Sequence, residues 1–336
     1  MKRFGVATPA TVRGERARLA KQEQAMQDLK KRLKRTRGEV ARLKKEVARH
    51  SGVKPSFKVL HSLDARLALA GVGAGIKSPR FGIQEKLYAR TMAEAHGVGV
   101  PELLAHWERI DQVRLGDLPD RFVLKAAGGA ASRGVFPLER VADNAYRIIT
   151  RPEIRSEADI LETMARYSRQ GKVRAPFFAE ALLSGPAPDS LPDDIKFYTF
   201  YGEIGHVLLR QVTTHAAGTT VASSKYVDDV GNDLGDINPE RGSEPGIELP
   251  ARFEELVEAA RTLSRASRLP FVRVDLYSTA EGIFFGEYTP RPGGSQVYTP
   301  DHDEFLGGLW EDAILRLERD LVDGMPFRHD MGIEQP

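Results

Sequence analysis

The sequence predicts an α+β protein with a mainly antiparallel core, and three observations lead to this class. Strand-like segments follow one another through the middle of the chain, joined by short turns. Helix-like segments lie on both sides of them, and sequential hairpins beside helices favour antiparallel pairing over a parallel, doubly wound sheet. A basic heptad pattern near the start adds an N-terminal α-helical coiled coil.

The N-terminal arm combines a heptad pattern with a high positive charge. Residues 1 to 55 hold 17 Lys or Arg and 5 Asp or Glu, a net of +12, whereas the whole chain carries only +2. A repeated heptad predicts a coiled coil that self-associates or docks onto a partner helix. A solvated charged helix and an arm that binds a polyanion or an anionic membrane remain as alternatives. The apolar residues recur every seven positions, at Leu19, Met26, Leu33, Val40 and Val47.

The body of the protein begins after a linker, "HSGVKPSF", that contains glycine and proline. Helices are predicted where apolar residues recur at helical spacing and where capping residues mark the ends, such as Ser156 at an N-terminus and Gly171 after a C-terminus. The predicted helices run from about Gln84 to Gly97, from Ser156 to Gly171, from 250 to 269, and from Glu304 to about Leu321.

A glycine-rich loop follows an apolar strand that ends at Lys125. Glycine lets backbone N–H groups approach an anion closely, and a lysine at the strand end adds a positive charge. The loop lacks the Gly-Lys-Ser or Gly-Lys-Thr of a Walker motif, and no helix follows it as in a dinucleotide fingerprint. A phosphate-covering loop and an ordinary hairpin turn are both open. The loop, "AAGGAASRGV", contains Gly128, Gly129, Ser132 and Gly134.

The next strands carry isolated charges. The apolar strand "FFAEALL" holds one acid, Glu180, and would suit a nucleotide base if its backbone edge were free. Arg210 lies on a later strand, where a surface ion pair is the usual role of a single basic residue. A polar, glycine-rich stretch from about Thr214 to Glu248 predicts a long loop, which is either a lid or acceptor-specificity element or a plain surface loop.

A hairpin near residues 272–289 predicts a metal site. Its strands, "FVRVDLY" and "GIFFGEY", carry Asp275 and Glu287 on either side of a turn at Glu281-Gly282. Residues at these positions oppose each other, so both carboxylates reach one face. Two such carboxylates suit Mg²⁺, which takes its remaining ligands from water and phosphate. The alternative is that each acid pairs with Arg273 or Arg291.

Taken in order, these features resemble the ATP-grasp superfamily, and in particular its TupA-like branch, named for teichuronopeptide biosynthesis. The resemblance covers about residues 78 to 320 and rests on the ordered set of motifs rather than on any one of them. The motifs are "LPDRFVLK", "DIKFYTFYGE", "LPFVRVDLY", "FFGEYTPRPGG" and "LGGLWEDA".

The resemblance implies a role for each site residue. It implies two α+β subdomains that sandwich ATP, with Arg210, Lys196 and Arg291 as catalytic residues. Asp275 and Glu287 would bind Mg²⁺, with Thr289 at the position where many relatives have asparagine. The ATP-binding residues would be Lys86, Lys125, Gly128, Gly129, Ser132, Gly134, Glu180, Ala181, Leu182, Leu183 and Asp194.

The resemblance also implies a division of the chain. The arm would occupy residues 1–50, a linker leading into the body 51–77, and a tail 326–336. The ATP-grasp body would span 78–325, with a subdomain for the ATP loop at about 115–185 and one for the metal and the acceptor at about 186–325.

The expected activity is ATP- and Mg²⁺-dependent ligation of a carboxylate to an amine through an acyl phosphate. The expected substrate is a cell-surface polysaccharide, a teichuronopeptide-like polymer or a precursor, with a sugar acid as one carboxylate acceptor. A ligase for a peptide or small metabolite and a non-catalytic scaffold of a polymer-synthesis complex are the alternatives. No specific nucleic-acid partner is expected.

Composition agrees with this chemistry. The chain has no cysteine, which excludes disulfides and thiol nucleophiles, and phosphoryl transfer depends on positioning and charge neutralisation instead. The absence of cysteine and of an eighteen-residue apolar run favours the cytoplasm, with contact at the inner face of the membrane left open.

Overall fold

The computed structural model describes most of the chain. The chain divides into two units, Met1–Lys54 and Pro55–Pro336. The proposed division into subdomains stays a prediction. The described residues are 21, 24, 26–28, 30–32, 34–45, 54–75, 82–129, 133–149, 151, 153–185, 190–214, 220–293 and 296–325.

The described residues of the first unit between 21 and 45 are helical, as the heptad pattern predicts. Met26, Val40 and Leu43 are exposed on this helix. Arg35 and Glu39 form an ion pair one helical turn apart. Leu19, Leu33 and Val47 lie outside the described residues, and the coiled coil itself stays a prediction.

The second unit contains two antiparallel sheets. The first sheet has six strands in the order β1-β6-β2-β3-β4-β5. Helix α3, Glu157–Arg169, packs against it and is capped by Ser156, as predicted. The strands are β1 Leu103–Trp107, β2 Arg121–Gly129, β3 Val135–Ala142, β4 Ala145–Ile148, β5 Glu153–Ser156 and β6 Val173–Ala181.

The second sheet has five strands in the order β11-β10-β7-β8-β9. The predicted α+β class with antiparallel pairing is confirmed by the two sheets. The strands are β7 Asp194–Phe200, β8 Glu203–Thr214, β9 Thr220–Val227, β10 Val272–Ser278 and β11 Ile283–Thr289.

The two faces of the second sheet have different compositions. Because side chains alternate along a strand, Ile195 and Phe197 of β7 point away from Asp194, Lys196 and Tyr198. The apolar face forms a hydrophobic core together with helices α2 (Lys86–Ala95) and α4 (Phe253–Ala266). The opposite face carries the polar residues, so strand alternation alone separates the core from a potential site. The helices of this unit are α1 Phe57–Gly73, α2 Lys86–Ala95, α4 Phe253–Ala266 and α5 Pro300–Val322.

Three sequence-based boundaries are wrong, and the first is the end of β2, which lies at Gly129 rather than Lys125. The segment from Thr214 to Glu248 is not one long loop, because β9 pairs with β8 along eight residues within it. The last helix begins at Pro300 rather than Glu304, since proline at the first turn fits a helix N-terminus. Whether the remaining loop acts as a lid stays a prediction.

A buried histidine pair lies within an aromatic cluster between the second sheet and α5. Nδ1 of His206 and Nε2 of His302 are 3.1 Å apart, so at least one of the two rings is neutral. Nε2 of His206 has no hydrogen-bond partner among the described residues. Burial lowers the pKa of His206 well below its usual value and that of His302 to about 4. Both rings are therefore neutral in the folded protein at pH 7.

The histidine pair makes stability depend on pH. Between pH 6.5 and 5 the unfolded chain binds protons at these positions and the folded chain does not, so the free energy of unfolding falls as pH falls. His302 alone should contribute about 2 kcal/mol of this loss. Urea unfolding at both pH values should show a smaller loss for His302→Gln than for the native protein. A variant of the partly exposed His106, His106→Gln, serves as the control, and equal losses in all three proteins would contradict the prediction.

Candidate active site

Asp275 and Glu287 face each other across neighbouring strands, as the sequence predicts. Their Cα positions are directly paired between β10 and β11, and the register shifts immediately afterwards. Gly286 lies at this bulge, where a side chain would come within 3.0 Å of the Asp275 carbonyl oxygen. The bulge therefore depends on glycine, and it brings both acids to one face of the second sheet.

Asp275 is almost fully buried between two basic side chains. Nε and Nη2 of Arg273 donate to its two oxygens, each at 2.6 Å, and Nζ of Lys196 donates at 2.8 Å. Burial acts to raise the pKa of Asp275, but Arg273 and Lys196 outweigh it and hold that pKa below its ordinary value. Asp275 is thus a carboxylate at neutral pH.

The alternative that an arginine pairs with the two acids is partly realised. Nη2 of Arg273 lies 3.7 Å from Glu287 and donates to the Thr289 hydroxyl at 3.0 Å. The hydroxyl of Thr289 in turn donates to Glu287 at 3.3 Å. Arg291 instead lies near His61 of α1, where its charge helps burial to lower the pKa of that histidine. The structure thus groups the three predicted metal ligands around Arg273 and does not bring Arg291 to them.

Asp194 joins the same cluster through Lys196, with which it forms an ion pair. Burial and the nearby Asp275 carboxylate raise the pKa of Asp194. Burial acts to lower the pKa of Lys196, but Asp275 and Asp194 outweigh it and raise that pKa. Lys196 is therefore a fixed positive charge between two acids.

The donor atoms fit a magnesium ion. Over the part of the chain that the structure describes, no group of three or more His, Asp or Glu side chains could hold a metal. Asp275 and Glu287 supply two carboxylates, with the Thr289 hydroxyl beside them. Mg²⁺ needs no more from a protein, because water and phosphate oxygens complete its octahedral shell.

The first sheet and helix α2 each contribute one lysine to the site. Lys125 of β2 forms an ion pair with the buried Glu180 of β6, and Arg90 lies 3.8 Å from the same acid. Lys86, the first residue of α2, donates to the Gly129 carbonyl oxygen at 3.4 Å. The two lysines that the resemblance assigns to ATP phosphates thus lie along β2, Lys125 at its middle and Lys86 at its end, close enough for the charge of Lys125 to act on Lys86.

The predicted phosphate loop is described only at its two ends. Gly128 and Gly129 close β2, and Gly134 has a positive φ of 73°. A side chain at Gly134 would come within 2.7 Å of Val173, so glycine is required there for packing as well as conformation. Ser132 lies outside the described residues, and its role stays a prediction.

The expectation of a free backbone edge at Glu180 is wrong. Strand β6 is an inner strand, paired with β1 on one side and β2 on the other. Glu180 is opposite Leu103 and Val123, and the Ala181 N–H donates to the backbone carbonyl oxygen of Glu102 at 2.8 Å. Contact of Leu182 and Leu183 with adenine stays a prediction, because these residues follow the end of the strand.

Electrostatic effects link the two sheets. Burial lowers the pKa of Lys86, whereas the carboxylates of Glu287 in the second sheet and Glu180 in the first act to raise it. The pKa of Tyr277 on β10 is raised by burial and further by acids of both sheets, including Asp194 and Glu180. Lys86 on α2 and Tyr277 on β10 therefore both lie within the electrostatic influence of acids from the two sheets.

A cavity of about 120 Å³ lies beside the acids on the same face of the second sheet. Its lining includes Lys196, Arg210 and Arg273, together with Arg241 from the segment after β9. Three tyrosines and two side-chain amides also line it, and among the described residues no carboxylate does. The structure thus brings Lys196 and Arg210 together, as predicted, in a pocket suited to an anion.

Sequence reasoning named Arg273 only as an alternative partner of the acids and missed two further residues of this site. Tyr277 lies two positions after Asp275, so strand alternation was a signal for it. Arg241 comes from an irregular segment, and no local sequence pattern marked it.

Comparisons with known proteins agree with this geometry. The sequence model of the TupA-like ATPgrasp family matches residues 77–311, which is more than half of the chain. No curated protein sequence matches at a significant level.

Several solved structures are similar, although their TM-scores below 0.5 add no support to the family match. D-alanine–D-alanine ligase from Bacillus anthracis shares 16% identity over 71% of this chain and 70% of that chain, with a TM-score of 0.46. VanG D-Ala:D-Ser ligase from Enterococcus faecalis shares 14% identity over 70% and 62%, with a TM-score of 0.45. The ATP-grasp ligase PsnB, complexed with a precursor variant, Mg and ADP, shares 16% over 76% and 67%, with a TM-score of 0.38.

The match over residues 77–311 decides the family. The chain belongs to the TupA-like ATP-grasp family, whose members are ligases that form carbon–nitrogen bonds with ATP and Mg²⁺.

Proposed function

We propose that this protein ligates a carboxylate to an amine during the synthesis of an acidic cell-surface polymer, either on the polymer or on a precursor. One observation carries the proposal. A single sheet face holds the acids Asp275 and Glu287 next to a cavity whose described lining is basic and contains no carboxylate. A phosphate-bearing nucleotide and a carboxylate substrate would therefore meet on this face.

The residues present account for the steps of such a reaction. A substrate carboxylate oxygen attacks the γ-phosphorus of ATP and ADP leaves, which gives an acyl phosphate. The amine nitrogen then attacks the carbonyl carbon, the carbon–oxygen bond to phosphate breaks, and the nitrogen loses a proton. Lys196 and Arg210 would hold the carboxylate and the transferred phosphoryl group, and Lys125 would hold the ATP phosphates. Mg²⁺ on Asp275 and Glu287 would neutralise phosphate charge.

The substrate, partners and location belong to the proposal as well. The TupA-like family supports an acidic polymer substrate, such as one that contains a sugar acid, together with an amine donor. The net charge of +12 in residues 1 to 55 supports an arm that self-associates through its heptads, with contact to an anionic membrane as a second role. We place the protein in the cytoplasm, including the inner face of the membrane. Among the described residues, no helix is long and apolar enough to cross a bilayer.

The first prediction concerns nucleotide binding. The native protein should bind MgATP, and the double variant Asp275→Asn with Glu287→Gln should bind it roughly 10- to 100-fold more weakly, because charge-assisted contacts of the metal are lost. Calorimetry with and without Mg²⁺ measures the change. Asp117→Asn, an exposed acid outside the site, is the matched control. Unchanged MgATP affinity in the double variant would remove these acids from the metal site.

A second prediction tests the acyl phosphate directly. Hydroxylamine should replace the amine, so that ATP, Mg²⁺ and an accepted carboxylate yield a hydroxamate and ADP in equal amounts. Lys196→Gln should slow this reaction by about 100-fold or more, because a fixed charge beside the reacting atoms is lost. Lys58→Gln, on the exposed side of α1, should react at the native rate. ADP release without hydroxamate, across a panel of uronic and amino-acid carboxylates, would contradict ligation.

The arm gives a third prediction. The full chain should sediment as an oligomer and a chain that begins at Pro55 as a monomer, because the heptads bury apolar residues only when helices pair. Equilibrium sedimentation at low and high salt measures both. A monomeric full chain would contradict self-association, and oligomers that dissociate only at high salt would indicate charge contacts rather than a coiled coil.

A further inference from the structure

The basic residues of the cavity fall into two pairs with different partners. Lys196 and Arg273 are already paired, since each is in ion-pair contact with Asp275 and Lys196 also contacts Asp194. Among the described residues, neither Arg210 nor Arg241 is in ion-pair contact with a carboxylate. The cavity therefore has a net positive charge, and that charge belongs to the second pair.

Arg210 is the direct Cα partner of Asp194, whereas Arg241 lies away from the acids along the sheet. Asp275, Lys196, Leu208 and Tyr226 are successive Cα partners across β10, β7, β8 and β9. The side chains of Arg241 and Asn238 hydrogen bond to the Tyr226 hydroxyl. Because neighbouring strands are about 4.8 Å apart, Lys196 and Tyr226 are separated by roughly 10 Å.

The second end of the cavity is also preorganised. Tyr226 is buried, and Asn238 is 3% exposed, so the groups that hold Arg241 have fixed positions. Tyr298 forms a further hydrogen bond with Tyr198 in the wall of the same cavity. A space of about 120 Å³ accommodates a group of several heavy atoms. An arginine, hydroxyl groups and an amide together provide the hydrogen-bond donors that bind a carboxylate or a phosphate.

We propose that Arg241, held by Tyr226 and Asn238, binds a second anionic group of the acceptor, so that the enzyme selects a substrate with two anionic groups about 10 Å apart. The reacting carboxylate lies at the Lys196 end, and the second group contacts Arg241 and the Tyr226 hydroxyl. Successive acidic units of an oligomer meet this spacing, whereas a single small monocarboxylate leaves the second end empty.

This proposal rests on the proposed function but is tested without ATP. Suberate carries two carboxylates at about the required separation, and its monomethyl ester lacks one charge but keeps the length. Calorimetry with the full chain should show that suberate binds about 10-fold more tightly than the ester, since one charge-assisted contact is added. A phosphono acid of equal length shows whether phosphate is preferred over carboxylate as the second group.

Two variants test whether Arg241 is responsible for the preference for suberate. Arg241→Gln should bind suberate and its monomethyl ester equally, while its affinity for MgATP stays at the native value. Arg66→Gln, on the exposed side of α1, should keep the native preference for suberate.

Three results would each overturn the proposal. The first is equal binding of diacid and ester by the native protein, and the second is no binding of either. The third is a preference for suberate that survives Arg241→Gln. A native protein that binds suberate preferentially but does not bind MgATP would instead contradict the proposed function alone.

Discussion

The site depends on one buried carboxylate and the two cations that neutralise it. Removing a charge from water is costly, so a buried acid such as Asp275 persists as an anion only with close positive partners. Arg273 and Lys196 are those partners, and their contacts also fix the neighbouring Thr289 and Asp194. Arg273 and Lys196 also line the cavity, so they lie between it and the acid. Loss of either cation would therefore alter both the metal site and the substrate pocket.

The two sheets contribute different residues to the site. The first sheet supplies Lys125 and the glycine-rich loop, with Lys86 reaching them from α2. The second supplies the acids and the basic cavity, all on one face. Helix α2 contacts both sheets, because it packs in the core of the second sheet while its first residue, Lys86, contacts β2 of the first. Such an arrangement suits a reaction in which nucleotide and acceptor must meet without water, which would hydrolyse an acyl phosphate.

Parts of the structure with strong local patterns were predictable from the sequence. The pairing of Asp275 with Glu287 followed from strand alternation around a glycine turn, and the cap at Ser156 followed from its position before an amphipathic helix. Strand β9 was missed because "TVASSKYV" lacks the apolar alternation of a half-buried strand, and its place in the sheet comes from pairing with β8. The inner position of β6 and the role of Arg241 depend on long-range packing, which no local pattern records.

The central claim is that this face activates a carboxylate by transferring phosphate to it. The most direct measurement uses a carboxylate substrate that the hydroxylamine assay has identified, labelled with ¹⁸O in its carboxyl group. It determines which product carries the ¹⁸O. Because the carboxylate oxygen attacks phosphorus and leaves with the phosphate, the account predicts that the inorganic phosphate released during amide formation carries one ¹⁸O atom. Phosphate without label, together with amide product, would show that the carboxylate is activated in another way and would contradict the account.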